Sequence, residues 1–225
     1  VPQENLYEIV WSIAVSILNL LAGLLRVRPR AHKPPRATAH KARLHRLFFA
    51  LCPDEPVRQA LVAAQDLFPR QLSENWIRPG NLHISLAVLE GAGAEWLDDI
   101  KRAGAATQAA AFELSLDRIT YWPDRRILCL TPSVVPDPLE RLAANLAGSL
   151  DAAGFDMTRY PYRPYLTLAR YATYPPPDIR LASPVVWKAA SFALLKSRPE
   201  GLDVAHDVVA SWPLQDAQAG VAPPE

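Results

Sequence analysis

Arg78-Pro79-Gly80-Asn81-Leu82-His83-Ile84-Ser85-Leu86-Ala87 and Arg163-Pro164-Tyr165-Leu166-Thr167-Leu168-Ala169-Arg170 are two renderings of one pattern. Each places Arg-Pro upstream of a ring-bearing residue, an apolar residue, a hydroxyl residue, Leu and Ala. Strand side chains alternate between faces, so His83 and Ser85 are expected on one face with Ile84 and Leu86 behind. Tyr165 and Thr167 then share a face, with Leu166 and Leu168 behind. Two such strands predict pseudo-symmetric lobes facing a central cleft that holds an imidazole, a phenol and two hydroxyls. That set suits a phosphate diester, because hydroxyls donate to non-bridging oxygens while titratable groups move protons. Each residue also has a plainer reading. An isolated His-x-Ser on a strand is commonly structural, and Tyr165 alone would be a core or interface tyrosine. The repetition favours a site.

Working outward, short strand-like and helix-like runs alternate over residues 46–215. Arg46–Leu51 reads as a strand ended by Pro53, and Asp54 caps a helix with Pro56 in its first turn. Leu82–Leu89 is strand-like and Ala94–Ala106 helical. Phe112–Ile119 and Arg126–Leu130 read as strands around the turn at Trp122-Pro123-Asp124. A helix over Asp137–Ala153 stops at Gly154. Tyr165–Arg170, Ser191–Ser197 and Val204–Trp212 complete the set. This order, with hairpin-length gaps, predicts an α+β fold in which each lobe is a small antiparallel sheet with helices outside. Residues 216–225 read as a tail.

Charge divides the chain unevenly. Seven of the 24 Lys/Arg and two of the 23 Asp/Glu fall within residues 1–45, so that leader carries +5 and the rest −4. A slightly acidic body lacks the broad basic footprint needed to grip long duplex nucleic acid. Any RNA would be held by an end. Cys52 and Cys129 sit in apolar stretches without disulfide or metal-clip spacing, which points to a reducing compartment, and no metal or cofactor is expected. The leader has an uncharged apolar run, Ile9–Leu25, followed by Arg26, Arg28, Arg30, Lys33 and Arg36. It reads as an extension outside the fold, or as a short anchor whose basic flank keeps the domain cytoplasmic. Membrane contact would run only through residues 9–25, and a cytoplasmic monomer is the expectation.

Asn81 to Ala87, with the lead-in Trp76-Ile77-Arg78-Pro79, resembles the first His-x-Thr/Ser motif of the two-histidine phosphoesterases, in the RNA 2′,3′-cyclic phosphodiesterase and 2′–5′ RNA ligase-like group. Arg163 to Arg170 resembles the second motif, including the arginine three residues after the threonine. Arg46–Leu51, Leu116–Leu128 and Phe192–Ser197 are similar to further family segments, so the resemblance spans about 46–215. It implies hydrolysis of a 2′,3′-cyclic phosphate at RNA 3′ ends or on small nucleotides to the 2′-phosphate, without metal. It also implies His83 as acid or base, with Ser85, Thr167 and Arg170 on the phosphate. One departure stands out, since the second motif's histidine position is Tyr165. A tyrosine ionises near about 10, so it donates a proton but is a poor base at neutral pH. The alternative is therefore a non-catalytic module that binds phosphorylated RNA or nucleotide ends.

Simple alternation gives Arg170 the opposite parity to Thr167, so it reaches the cleft only if the strand ends or twists. Arg118, Arg125, Arg126 and Arg163 are further phosphate candidates, each singly a solvated charge. Tyr121, Trp122, Tyr160 and Tyr162 can stack on bases or cover the core. His206, in a late strand, is read as a surface residue, with replacement of the missing imidazole as the alternative.

Overall fold

The computed structural model describes residues 46–215 apart from 90, 158–161, 173–178 and 202. The readings placed on residues 1–45, on Tyr160 and on the 216–225 tail lie outside the described residues. Nine strands are described: β1 (Leu47–Leu51), β2 (Asn75–Trp76), β3 (Ile84–Leu89), β4 (Phe112–Trp122), β5 (Ile127–Thr131), β6 (Leu166–Arg170), β7 (Ile179–Ala189), β8 (Ser191–Glu200) and β9 (Asp203–Pro213). Three α-helices accompany them: α1 (Glu55–Asp66), α2 (Leu97–Ala106) and α3 (Asp137–Ala152). The chain is α+β, as expected, and its strands form one large antiparallel sheet.

Along that sheet the strands run β7-β4-β5-β6-β3-β1-β8-β9, with β2 added beside β6. The order is symmetric about its centre. A motif strand stands on each side (β6, β3), each is flanked by the strand that precedes its helix (β5, β1), and hairpin partners lie outside. The two halves are one continuous sheet rather than separate bodies, joined through the register pair Ile84↔Leu166. Beyond that pair β6 takes β2 as its neighbour, through Asn75↔Arg170 and Trp76↔Ala169.

The helices form where the sequence marks them. Asp54 accepts the Val57 amide at 3.1 Å and caps α1, whose Pro56 lies in the first turn, where a missing N–H costs nothing. Leu139, Leu142, Ala143, Leu146 and Leu150 make a buried stripe along α3 at helical spacing. Gly154, at φ +97°, ends that helix in a conformation that side-chain-bearing residues avoid. α1 packs against β7, α3 against β3, and α2 against α3 and β9.

The main core lies between helices and sheet, and includes Phe49, Leu61, Ile84, Ile100, Leu128, Leu142, Leu166, Leu168 and Phe192. Gly104 of α2 lets the Trp212 indole lie against the helix, since a Cβ there would stand 2.6 Å from the ring. The other face of the sheet carries a smaller cluster, Phe48, Ala50, Ala193 and Leu195 with Val88.

Two strands have no counterpart in the sequence reading. β2 is only two residues long. β7 contains Pro184, which breaks the strand pattern and is tolerated here on an edge strand at an irregularity in the β4–β7 register. β4 runs three residues beyond its expected end, to Trp122.

Candidate active site

Burial alternates as the motif requires. Ile84 and Leu86 on β3, and Leu166 and Leu168 on β6, are buried, while His83, Ser85, Tyr165 and Thr167 are half-buried. The pairing Ile84↔Leu166 sets the two polar pairs beside each other at the centre of the sheet, on the face away from the main core.

Both motif strands carry a β-bulge at the same step. Phe49 stands opposite Ala87 but Ala50 opposite Ser85, so Leu86 is an extra residue in β3. Leu128 stands opposite Ala169 but Cys129 opposite Thr167, so Leu168 is an extra residue in β6. A bulge inserts one residue and shifts the face of every side chain after it. On β3 this brings Val88 onto the face of Ser85, where it packs with Phe48 and Ala50. On β6 the same shift brings Arg170 onto the face of Thr167. Simple alternation, which turned Arg170 away, fails because it does not count Leu168.

The β6 bulge is held by named bonds. Leu168 O accepts from Ile77 N at 2.9 Å and from the buried Gln65 Nε2 at 2.9 Å, and Gln65 also donates to Ile77 O at 2.9 Å. Arg170 O accepts from the Ser73 hydroxyl, and the Asn75 amide donates to that hydroxyl at 2.9 Å. The lead-in to the first motif thus fixes the strand of the second.

His83 Nδ1 lies 2.7 Å from Asn81 O. A carbonyl only accepts, so Nδ1 carries the proton and Nε2 of the neutral ring holds a free lone pair. Burial lowers the His83 pKa to about 4 against the opposing bond to Asn81, and the nearby His206, Arg170 and Arg46 depress it further. The ring is therefore neutral at physiological pH, a form able to accept a proton. It rests on Phe48, with centroids 4.9 Å apart.

Tyr165 packs on Trp122 with centroids 4.6 Å apart and planes tilted by 55°, and Arg125 lies 5.9 Å from the Trp122 ring centroid. Of the other candidates, Arg118 stands opposite Thr131 and is exposed, Arg126 donates to Tyr171 O at 3.4 Å, and Arg163 lies before β6, outside the strand. The Tyr121 hydroxyl donates to Ala172 O at 3.4 Å, and its side chain packs against the main core. Tyr162 packs against the main core and its phenol pKa is pushed up by burial.

His206 is placed beside His83, not on the outer surface. The ring centroids are 5.2 Å apart and edge-on, and Phe48 touches both rings. Sequence reading missed Phe48 and Ser197. Ser197 was legible by counting outward from Gly201, since the β8–β9 hairpin pairs Ser197 with His206.

Two half-sheets, each presenting one copy of a polar strand motif, make up one α+β sheet in which the two motifs meet where β3 pairs with β6. The chain belongs to the 2'-5' RNA ligase superfamily, whose family model matches residues 52–199. It is 28% identical over 161 residues to the RNA 2',3'-cyclic phosphodiesterase of Escherichia coli (strain K12), covering 68% of this chain and 91% of that protein. The crystal structure of E. coli LigT complexed with 3'-AMP matches with a TM-score of 0.70 at 23% identity, covering 76% of this chain and 98% of that one. The crystal structure of TT0787 of Thermus thermophilus matches with a TM-score of 0.65 at 26% identity, covering 76% of this chain and 99% of that one.

Proposed function

We propose that the protein hydrolyses 2′,3′-cyclic phosphates at RNA 3′ ends or on small nucleotides to the 2′-phosphate, without a metal ion. The observation that carries this reading is the matched pair of bulged strands. They set His83, Ser85, Tyr165, Thr167 and Arg170 on one face, in a member of a family that includes an RNA 2',3'-cyclic phosphodiesterase relative. Neutral His83 takes a proton from the attacking water at Nε2. Ser85 and Thr167 donate to the non-bridging oxygens, and Arg170 offsets the charge that builds on phosphorus-bound oxygen in the transition state. The Tyr165 hydroxyl adds a positioning donor. No long duplex is required, since the reacting group is a terminus.

A second reading, a binding module for phosphorylated RNA or nucleotide ends, is favoured by one feature. Tyr165 is packed on Trp122 beside Arg125, an arrangement suited to stacking on a base.

Turnover of 2′,3′-cyclic AMP in the presence of a chelator tests the choice. The expected product is 2′-AMP, and His83→Ala should lower kcat by about 10²–10⁴. A 3′-AMP product, or an unchanged rate in His83→Ala, would overturn the assignment. Tight binding of 2′-AMP with no turnover would establish the binding module.

A further inference from the structure

We propose that His206 is the second titrating imidazole of this site and serves as its general acid. The inference deepens the hydrolytic reading above and rests on it.

Four observations place His206 there. Its ring stands edge-on to His83 at 5.2 Å, and Phe48 contacts both, so the two imidazoles share one floor on the site face. Each ring has its Nδ1 engaged, His83 with Asn81 O at 2.7 Å and His206 with Ser197 Oγ at 3.2 Å. Asn81 holds both histidines, because its carbonyl fixes His83 while its side-chain amide donates to Val204 O at 2.5 Å, two residues before His206. Arg78, just upstream of the first motif, pairs with Glu200 at 2.8 Å and Asp203 at 2.5 Å and so ties the tip of the β8–β9 hairpin to the motif. These exposed ion pairs contribute little stability singly. Together with Asn81 they fix the hairpin that delivers His206.

The charges around the pair explain how it would hold its protons. Burial first, then Arg170 from β6 and Arg46 before β1, lowers the pKa of both rings, and each imidazolium would repel the other. Asp207, beside His206, favours its charged form but is shared with Arg198 at 2.9 Å. A bound phosphate adds negative charge to this cationic setting and favours one proton on the pair. Two adjacent like groups resist holding two. Asp207 stands beside His206 and, among the described residues, no carboxylate acts on His83, so the one proton falls to His206.

The step then balances. Water oxygen bonds to phosphorus while the bond from phosphorus to O3′ breaks. The water proton passes to His83 Nε2, and the His206 imidazolium gives its proton to O3′. The products are the 2′-phosphate, a free 3′-hydroxyl, and an imidazole pair that still holds one proton.

His206→Asn keeps a side-chain group in reach of Ser197 but cannot titrate. With 2′,3′-cyclic AMP it should lower kcat by about 10²–10⁴ with KM changed less than about threefold. The limb of the kcat–pH profile that reports the acid should also disappear. His206→Gln should behave alike, with both variants melting as the unsubstituted chain does. Activity within about threefold of the unsubstituted chain, with both limbs kept, would overturn the proposal. Absence of any turnover in the unsubstituted chain would count against the hydrolytic reading itself. The His206 assignment is then read from imidazole NMR titrations with 2′-AMP, using His206→Asn to assign the signal. A raised His206 pKa on binding supports the assignment, and an unmoved His206 signal beside a shifted His83 signal overturns it.

Discussion

Among the single residues, His83 shows how local packing sets chemistry. An imidazole in an unfolded chain titrates near about 6.5, whereas in the folded protein burial lowers His83 to about 4. Between those values the unfolded chain binds the proton more readily, so folding stability falls with falling pH across that window. The contribution is complete above about 6.5 and is lost as pH approaches 4, amounting to about 3 kcal/mol for this one group. Urea midpoints at about pH 7 and about pH 4.5 check this, since His83→Gln should lose less stability between the two than the unsubstituted chain does. An equal loss in both would place the His83 pKa near its ordinary value. The same shift keeps the ring neutral through the physiological pH range. The acid limb of kcat/KM assigned to His83 should therefore lie well below about pH 6.

Among the elements, the β6 bulge depends on Gln65, a buried polar residue of α1 that spans 103 residues of sequence to reach Leu168 O. Replacing it by leucine removes both side-chain bonds while keeping an apolar body of similar size. Gln65→Leu should cost about 1–3 kcal/mol, because Ile77 O is left without its side-chain donor and the bulge carbonyl keeps only the Ile77 amide. The loosened bulge would also let Arg170 drift from the site face, so KM should rise more than kcat falls. Thermal melting and steady-state kinetics on one preparation separate the two effects. An unchanged KM in a destabilised variant would mean that β5 alone aims Arg170.

For the molecule as a whole, every described element begins at or after Leu47, and the strands of the sheet find all their partners within that part of the chain. Removing residues 1–43 is expected to leave a cooperatively folding domain with the same helix and sheet content. Circular dichroism and a melting curve of the shortened chain are the check, and a broad, non-cooperative transition would mean that the leader packs into the core. Among the described residues no helix is long and apolar enough to cross a membrane. The shared sheet also explains why the halves should unfold together, since α1 packs on the half that holds β7 and α3 on the half that holds β3.

The α+β class, the three helices with the cap of α1 and the stop of α3, and the two polar strands were all legible in the amino-acid order. Periodicity and capping are local signals, and Asp54, Gly154 and the alternation through His83 and Tyr165 each stand out within a few residues. Where Arg170 points and where His206 stands emerged only with the assembled fold. The first turns on an extra residue, Leu168, whose carbonyl is satisfied by Gln65 and Ile77 from remote parts of the chain. The second turns on Arg78 and Asn81 fastening a hairpin from the far end of the fold beside His83. Bonds between segments that lie far apart along the chain leave no periodic trace in the sequence, so a bulge and a second imidazole became visible only once those segments met.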